Sequence, residues 1–235
     1  YTPDWLAELL LDEVGYDGNP EKRVLDPACG SGTFLVLAIK RIKEYAEEHF
    51  IDKRTLLTKI IKNVQGIDLN PLAVMAAKAN YLIALADLIR YRPREGIEIP
   101  IYLADSIVVN RRMVPTGEQE LYLKTTVGEF RIPQEIVEKG KLSEILDIME
   151  RSIKNNYKPE EFIEHIKTKY VLTRYSIGTL KELYSNILNL EKKGKNKIWT
   201  RILKNSFAPL LIGQFDYVVG NPPWINWENL PETYR

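Results

Sequence analysis

Residues 23–39 read RVLDPACGSGTFLVLAI. Val24 and Leu25 are predicted to close a short buried strand. Asp26-Pro27-Ala28-Cys29-Gly30-Ser31-Gly32 then turns, and an apolar helix begins near Thr33. A glycine-rich turn between a parallel strand and a helix brings bare backbone against a ligand, at the positive end of the helix. Gly30 and Gly32 matter because a side chain there would hold the ligand away. A dinucleotide site needs G-x-G-x-x-G, and its third glycine would fall on Leu35. A P-loop ends in Gly-Lys-Ser/Thr, which Thr33-Phe34-Leu35 does not supply. Neither phosphate-binding reading stands.

Outward from this turn, the apolar periodicity continues. Phe34 to Phe50 read as an amphipathic helix with Leu35, Leu37, Ala38, Ile39, Ile42 and Tyr45 on its buried side, and a short helix follows over Lys53–Ile61. Val64 to Leu69 read as a second strand ending on Asp68, and Asn70-Pro71 start a helix running to about Ile89. A carboxylate at the end of the second strand of a βαβ unit is where ribose hydroxyls are held; the bland alternative is a solvent-facing strand end. Ile99 to Leu103 form a third strand, followed by Ala104-Asp105-Ser106. Upstream, Thr2-Pro3-Asp4 read as a helix start, with a capping hydroxyl, a proline at the first helical position and an acid in the first turn, and Gly15 is the stop.

Beyond the third strand the pattern changes. Residues 119–132 alternate as a hairpin with Gly128 near its turn, and helices are expected over Glu135–Asn155, Pro159–Tyr170, Ser176–Lys192 and Lys197–Ile212. The basic connector Lys192 to Lys197, with Trp199, Arg201 and Lys204 after it, suits either nucleic-acid backbone or, the favoured reading, a solvated face. Phe215 to Gly220 are the fourth strand, leading into Asn221-Pro222-Pro223-Trp224.

The 235 residues are 45% hydrophobic and 28% charged, an ordinary globular composition. No apolar run approaches the length of a membrane span and no signal peptide opens the sequence, so no membrane partner is expected. One cysteine, Cys29, excludes an internal disulfide and suits a reducing, cytoplasmic compartment. The formal charge of +1 means that a nucleic-acid partner has to be argued from a local site. His49 and His165 are isolated on helical faces, so no zinc site or hydrolase triad is expected.

The string DPACGSGTFL resembles the S-adenosylmethionine loop of amino-methyltransferases that act on adenine N6 in DNA. The order, with this loop before Asn221-Pro222-Pro223-Trp224, is similar to the gamma class of DNA adenine-N6 methyltransferases, including type I modification subunits and single-chain type II restriction-modification enzymes. That resemblance implies S-adenosylmethionine as cofactor and DNA as substrate. It also implies a target-recognition or nuclease domain or subunit as partner. The implied fold is α/β, a Rossmann-like class I methyltransferase; the crossovers and patterns above make its sheet mostly parallel and partial, of order 3-2-1-4, with a hairpin and helical insertion before the fourth strand. The expected parts are 1–107 for the cofactor, 108–212 for the insertion, and 213–235 for the fourth strand and acceptor loop.

By the same resemblance the cofactor is held by Tyr1, Thr2 and Pro3, by Asp26, Pro27, Ala28, Gly30 and Gly32, by Asp68 and Leu69, by Asp105 and Ser106, and by Asn221. The catalytic residues would be Asn221, Pro222, Pro223 and Trp224. An exocyclic amine is a poor nucleophile because its lone pair spreads into the ring. Accepting both its hydrogens, through the Asn221 side-chain carbonyl and the Pro222 backbone carbonyl, draws the nitrogen toward tetrahedral geometry. The prolines keep these oxygens from reorganising. Trp224 offers a stacking face worth roughly 1–3 kcal/mol, against a base-flipping cost of a few kcal/mol. Transfer would be in-line at the sulfonium methyl, without a metal or a covalent enzyme intermediate. The familiar aromatic of this motif is Tyr or Phe, and Trp224 departs from it. The resemblance does not cover the stretch between Asp105 and Asp216.

Two other readings stay open: a methyltransferase acting on RNA or on a protein glutamine, and a non-catalytic fragment of this fold. The chain is expected to be a fragment, starting at Tyr1 and leaving Phe215 to Val219 as an apolar edge strand. Weak DNA binding and poor turnover are expected of this piece alone.

Overall fold

The computed structural model describes residues 2–94, 96–106, 110–125, 127–192 and 199–224. The first elements in chain order are α1 (Asp4–Glu13), β1 (Val24–Asp26), α2 (Thr33–Glu48), α3 (Lys53–Asn63), β2 (Val64–Asp68), α4 (Pro71–Ala84) and β3 (Ile101–Leu103). There follow β4 (Arg111–Met113), β5 (Gln119–Thr125), β6 (Gly128–Pro133), α5 (Gln134–Glu138), α6 (Leu142–Lys154), α7 (Pro159–Lys169), α8 (Arg174–Lys192), α9 (Trp199–Ser206), α10 (Ala208–Leu211) and β7 (Tyr217–Val218). The chain divides into two compact units, Tyr1–Val108 with Gly213–Arg235, and Val109–Ile212.

The first unit is a parallel sheet of order β3-β2-β1-β7. β1 at its centre lies between the early strand β2 and the late strand β7, so the order reverses beside β1. In open α/β sheets that reversal makes the ligand crevice, beyond the carboxyl ends of the strands. The expected order 3-2-1-4 is therefore found, and the fold is the Rossmann-like α/β one expected.

Burial explains why these segments pair. Phe34, Leu35, Ala38, Ile39 and Ile42 on α2 pack with Val24, Val64, Ala77 and Tyr81 in one apolar core. The Tyr81 hydroxyl donates to the carbonyls of Ile60 and Val64 at 3.1 and 3.0 Å, fixing α4 against the α3–β2 junction. The late return of the chain is held at its entry by charge. Asp216 Oδ2 accepts from the Arg23 amide at 2.8 Å, Oδ1 accepts from Lys22 Nζ at 3.0 Å, and the Arg23 guanidinium lies over the Phe215 ring. These bonds hold the Asp216 carboxyl below its usual range.

The second unit has its own core. An antiparallel sheet β4-β5-β6 packs with α8, and Phe130, Ile132, Ile145, Met149, Phe162, Leu183 and Tyr184 are among its buried residues. Phe162 and Tyr184 stack at 4.4 Å.

Several expected boundaries are corrected. The helix expected over Glu135–Asn155 is two, α5 and α6, separated at Gly140, whose φ of 64° breaks the helical path. That expected over Lys197–Ile212 is α9 and α10, the second starting after Phe207 with a proline in its first turn. α4 stops at Ala84, with a 3-10 turn over Ile89–Tyr91. The fourth strand is only Tyr217–Val218, and β4 was not expected at all. α1 starts at Asp4 with Pro3, not Thr2, at the N-cap, and the Thr2 hydroxyl does not cap it. Gly15 follows the helix in the left-handed conformation, as a stop should. Most of the basic connector, Lys193 to Lys197, lies outside the described residues.

Candidate active site

The carboxyl end of β1 carries the glycine turn. Gly30 and Gly32 have φ of 53° and 88°, a conformation that side chains resist. Gly32 also lies against α4: a β-carbon there would be 3.3 Å from Ala77 Cβ. Gly30 by contrast faces open space, with nothing within 4 Å of where its β-carbon would be. Backbone is thus bare toward open space at Gly30 and packed against protein at Gly32. The Asn80 side chain donates to the Ser31 carbonyl at 2.9 Å, holding the turn from α4.

Asp68, at the end of β2, grips the turn from the other side. Its Oδ2 accepts from the Gly30 amide at 2.8 Å, and its Oδ1 from the Asn70 amide at 2.8 Å. It is a half-buried anchor, not a free strand end. A carboxylate has about four acceptor positions, so two remain for hydroxyl donors. Asn70 caps α4 through the amides of Leu72 and Ala73. Leu69 and Leu72 are left 63% and 72% exposed, apolar surface next to this carboxylate. The carbonyl of Asp68 accepts from the Ala104 amide, which places half-buried Asp105 and exposed Ser106 in the turn after β3, at the same sheet edge.

Asp26 ends β1 and is 1% exposed. Burial pushes its carboxyl up to about 7; the Ala28 N–H, donating at 3.1 Å, opposes this, and nearby Asp68 adds to it. Burial likewise raises the Cys29 thiol far above its usual range, so Cys29 is an inert packing residue. Pro27 and Ala28 are half-buried in the turn.

The chain returns to this end of the sheet at Gly220. A β-carbon on Gly220 would be 2.6 Å from Asp26 Oδ1 and 3.6 Å from Pro27 Cδ. Asn221, Pro222, Pro223 and Trp224 follow, all exposed. Asn221 Nδ2 donates to Thr2 Oγ1 at 3.3 Å, and the Trp224 indole N–H donates to Asn221 Oδ1 at 3.2 Å. Thr2 of the expected cofactor residues is therefore brought to Asn221, next to Pro3; Tyr1 lies outside the described residues. The proline-bounded loop and the glycine turn are neighbours through Gly220 and Asp26.

The sequence reading passed over three residues of this assembly. Gly220 was taken only as the end of a strand, Gly66 as a member of one, and Asn80 not at all. A glycine inside an apolar strand is itself a sign of close approach, and Gly66 carries that sign. Gly66 faces the turn, where a β-carbon would be 2.7 Å from Leu35 Cδ1 and 3.2 Å from Cys29 Sγ. Among the described residues no cluster of His, Cys, Asp and Glu is placed to hold a metal ion, and no helix is long and apolar enough to cross a membrane.

Comparison with known proteins places the chain in a family. The chain is 29% identical over 153 residues to the adenine-specific methyltransferase PglX of Streptomyces coelicolor, covering 58% of this chain and 12% of that protein. It is 33% identical over 87 residues to the type I restriction enzyme MjaIX methylase subunit of Methanocaldococcus jannaschii, covering 37% of this chain and 13% of the other. With the type I restriction enzyme EcoEI methylase subunit of Escherichia coli it shares 24% identity over 119 residues, 51% of this chain and 21% of that one. The chain thus spans about a fifth or less of the curated relatives it matches. The MmeI DNA-methyltransferase domain matches residues 20–95, the part that carries the glycine turn and Asp68. The Eco57I restriction-modification methylase matches residues 62–235, most of the chain, and to that family this chain belongs.

Proposed function

We propose that this chain is the cofactor- and acceptor-binding part of an enzyme that methylates adenine N6 in DNA within a restriction-modification system, using S-adenosylmethionine. The observation that carries the reading is the meeting of two loops at one end of the sheet: β7 pairs with β1, and Gly220 lies on Asp26. A donor loop and an acceptor loop must be neighbours for group transfer, and the sheet reversal brings them together.

The residues present fit the cofactor. Bare backbone at Gly30 opens toward space, the two free acceptor positions of Asp68 suit the ribose hydroxyls, and exposed Leu69 suits the flat adenine face. On the family resemblance Asp105 and Ser106 serve the adenine edge, and Asp26, Pro27, Ala28, Gly32, Thr2 and Pro3 serve the other end of the cofactor. When bound, S-adenosylmethionine supplies an electrophilic methyl group. Asn221 Oδ1 and the Pro222 carbonyl accept the hydrogens of the target amine and localise its lone pair. Fixed φ at Pro222 and Pro223 keeps the Pro222 carbonyl in place through the reaction. Trp224, 94% exposed, offers a base its flat face. Separate domains or subunits would select the DNA sequence, and the buried thiol of the one cysteine suits work in the cytoplasm.

The first test is calorimetric titration of S-adenosylmethionine into the protein and into its Asp68→Asn and Asp68→Ala variants, each checked for folding by circular dichroism. Binding that weakens in both variants is the expected result; binding unchanged by Asp68→Ala would overturn the assignment. Transfer of labelled methyl groups to duplex DNA, ribosomal RNA and protein then decides the acceptor. Label in N6-methyladenine of DNA is expected, at the low turnover expected of this piece alone, and label confined to RNA or to glutamine would replace this reading.

A further inference from the structure

The Asn221 carboxamide has two unlike ends, and only its oxygen can accept the hydrogen of a target amine. Two contacts bear on which end faces which way. One is with Thr2 Oγ1, 3.3 Å from Asn221 Nδ2. A hydroxyl both donates and accepts, so Thr2 tolerates either end of the amide. The other is with Trp224 Nε1, 3.2 Å from Asn221 Oδ1. An indole N–H only donates. Turning the amide over would set its NH2 group against the indole N–H, donor against donor.

We propose that Trp224 is a positioning residue whose indole N–H fixes the Asn221 carbonyl oxygen in the orientation that accepts the target amine. This rests on the reading of Asn221 given above and goes beyond the stacking role of the aromatic. Phenylalanine has no donor, and a tyrosine hydroxyl sits at the far tip of its ring. Tryptophan carries its donor on the edge of the ring system, so one side chain presents its edge to Asn221 and its faces to solvent, 94% exposed. Because an amide oxygen has two acceptor positions, the indole occupies one and leaves the other for the amine. A base stacked on the indole face would then bring its exocyclic nitrogen to an amide already turned the right way. Such preorganisation removes a reorientation from the reaction step and leaves base binding untouched.

The decisive variant is Trp224→Phe, which keeps an aromatic face and removes the N–H. Proton–nitrogen correlation spectra of the Asn221 side-chain NH2 test the contact without any turnover, with the resonance assigned by its loss in Asn221→Ser. In the wild-type protein its two protons should be well separated, and in Trp224→Phe they should collapse to the shifts of a free amide. In the methyl-transfer assay kcat should fall about tenfold in Trp224→Phe, the step that one lost interaction makes. KM for DNA should stay within about twofold, because the stacking face remains. Trp224→Ala should raise KM as well. An Asn221 amide signal identical in wild type and Trp224→Phe would overturn the proposal, as would unchanged or faster turnover. Methyl transfer by the wild type to RNA or protein glutamine and not to DNA would instead defeat the reading of the reaction, while the amide signal still decides whether Trp224 holds Asn221.

Discussion

Asp26 and Gly220 touch across the sheet reversal: a β-carbon on Gly220 would stand 2.6 Å from the Asp26 carboxylate oxygen Oδ1. The carboxylate has little room to retreat. It is buried, and the same oxygen accepts from the Ala28 amide. Gly220→Ala is therefore expected to destabilise the first unit by about 1–3 kcal/mol, the usual cost of overpacking. Urea denaturation should show the loss. In an Asp26→Ala background the obstructing oxygens are gone, so the same glycine change should cost much less. Additive costs in that double-mutant cycle would mean that the two residues are not coupled.

Asp26 also makes a pH prediction. Its folded carboxyl titrates near 7, because burial outweighs the Ala28 bond and Asp68 adds repulsion, against an ordinary value of 3.8. Between these two values the folded protein holds a proton that the unfolded chain has released. The sign follows: stability is highest below the unfolded value, falls as pH rises from about 4 to about 7, and is level above that. The full effect is of order 4 kcal/mol, from about 1.36 kcal/mol per pH unit of difference. Asp26→Asn has no charge to bury and keeps an acceptor for Ala28. It should be more stable than wild type at pH 8 and lose most of that advantage by pH 5. Chemical denaturation at both values checks this, and parallel pH dependence in the two proteins would refute it.

The same residue pair marks what could be read from the chain beforehand. The strand, turn and helix around Asp26 were legible because their signals are local, apolar spacing and two glycines, as was α4 with its capping asparagine Asn70. The strand order was legible because parallel strands joined by helices leave few topologies. β4 was not, since Arg111–Met113 is three half-exposed or exposed residues that become a strand only by pairing with β5. Thr2 was misread for a similar reason. Beside a proline and an acid it has the local form of a helix cap, yet its hydroxyl is engaged by Asn221 from the other end of the chain. Local rules see caps; they do not see partners more than two hundred positions away.

In the second unit the same limit hides Glu120. It is fully buried, its Oε1 accepts from Arg112 Nε at 2.7 Å, and its Oε2 from the Tyr175 hydroxyl, with Arg131 3.8 Å away. A lone glutamate in an alternating strand gives no hint of this. Glu120→Ala would leave the Arg112 and Arg131 side chains without their buried partner. Breaking a buried pair costs about 3–5 kcal/mol, and the partial exposure of Arg112 places this case at the lower end. Glu120→Gln keeps the shape and the acceptor oxygen and should cost less. Trp199 packs on Phe130 in this unit's core, so its fluorescence reports the transition. A loss confined to the first unit would contradict the assignment.

Gly66 gives the last prediction, and it separates a tight contact from a rigid one. A β-carbon there meets Leu35 Cδ1 at 2.7 Å, Cys29 Sγ at 3.2 Å and Cys29 Cβ at 3.3 Å. The nearest atom is the far end of a flexible side chain, whereas the cysteine is fixed in the turn, its amide bonded to the Ile67 carbonyl. Gly66→Ala should therefore cost about 1–3 kcal/mol as overpacking. Leu35→Val removes the first obstacle and should recover part of that cost, although it costs about 1 kcal/mol by itself. The unrecovered part belongs to Cys29 and is carried into the glycine turn. S-adenosylmethionine affinity should then fall in Gly66→Ala and stay low in the double variant, even where thermal stability recovers. Affinity that returns together with stability would mean that Gly66 serves only the packing of α2, and that the turn does not feel it.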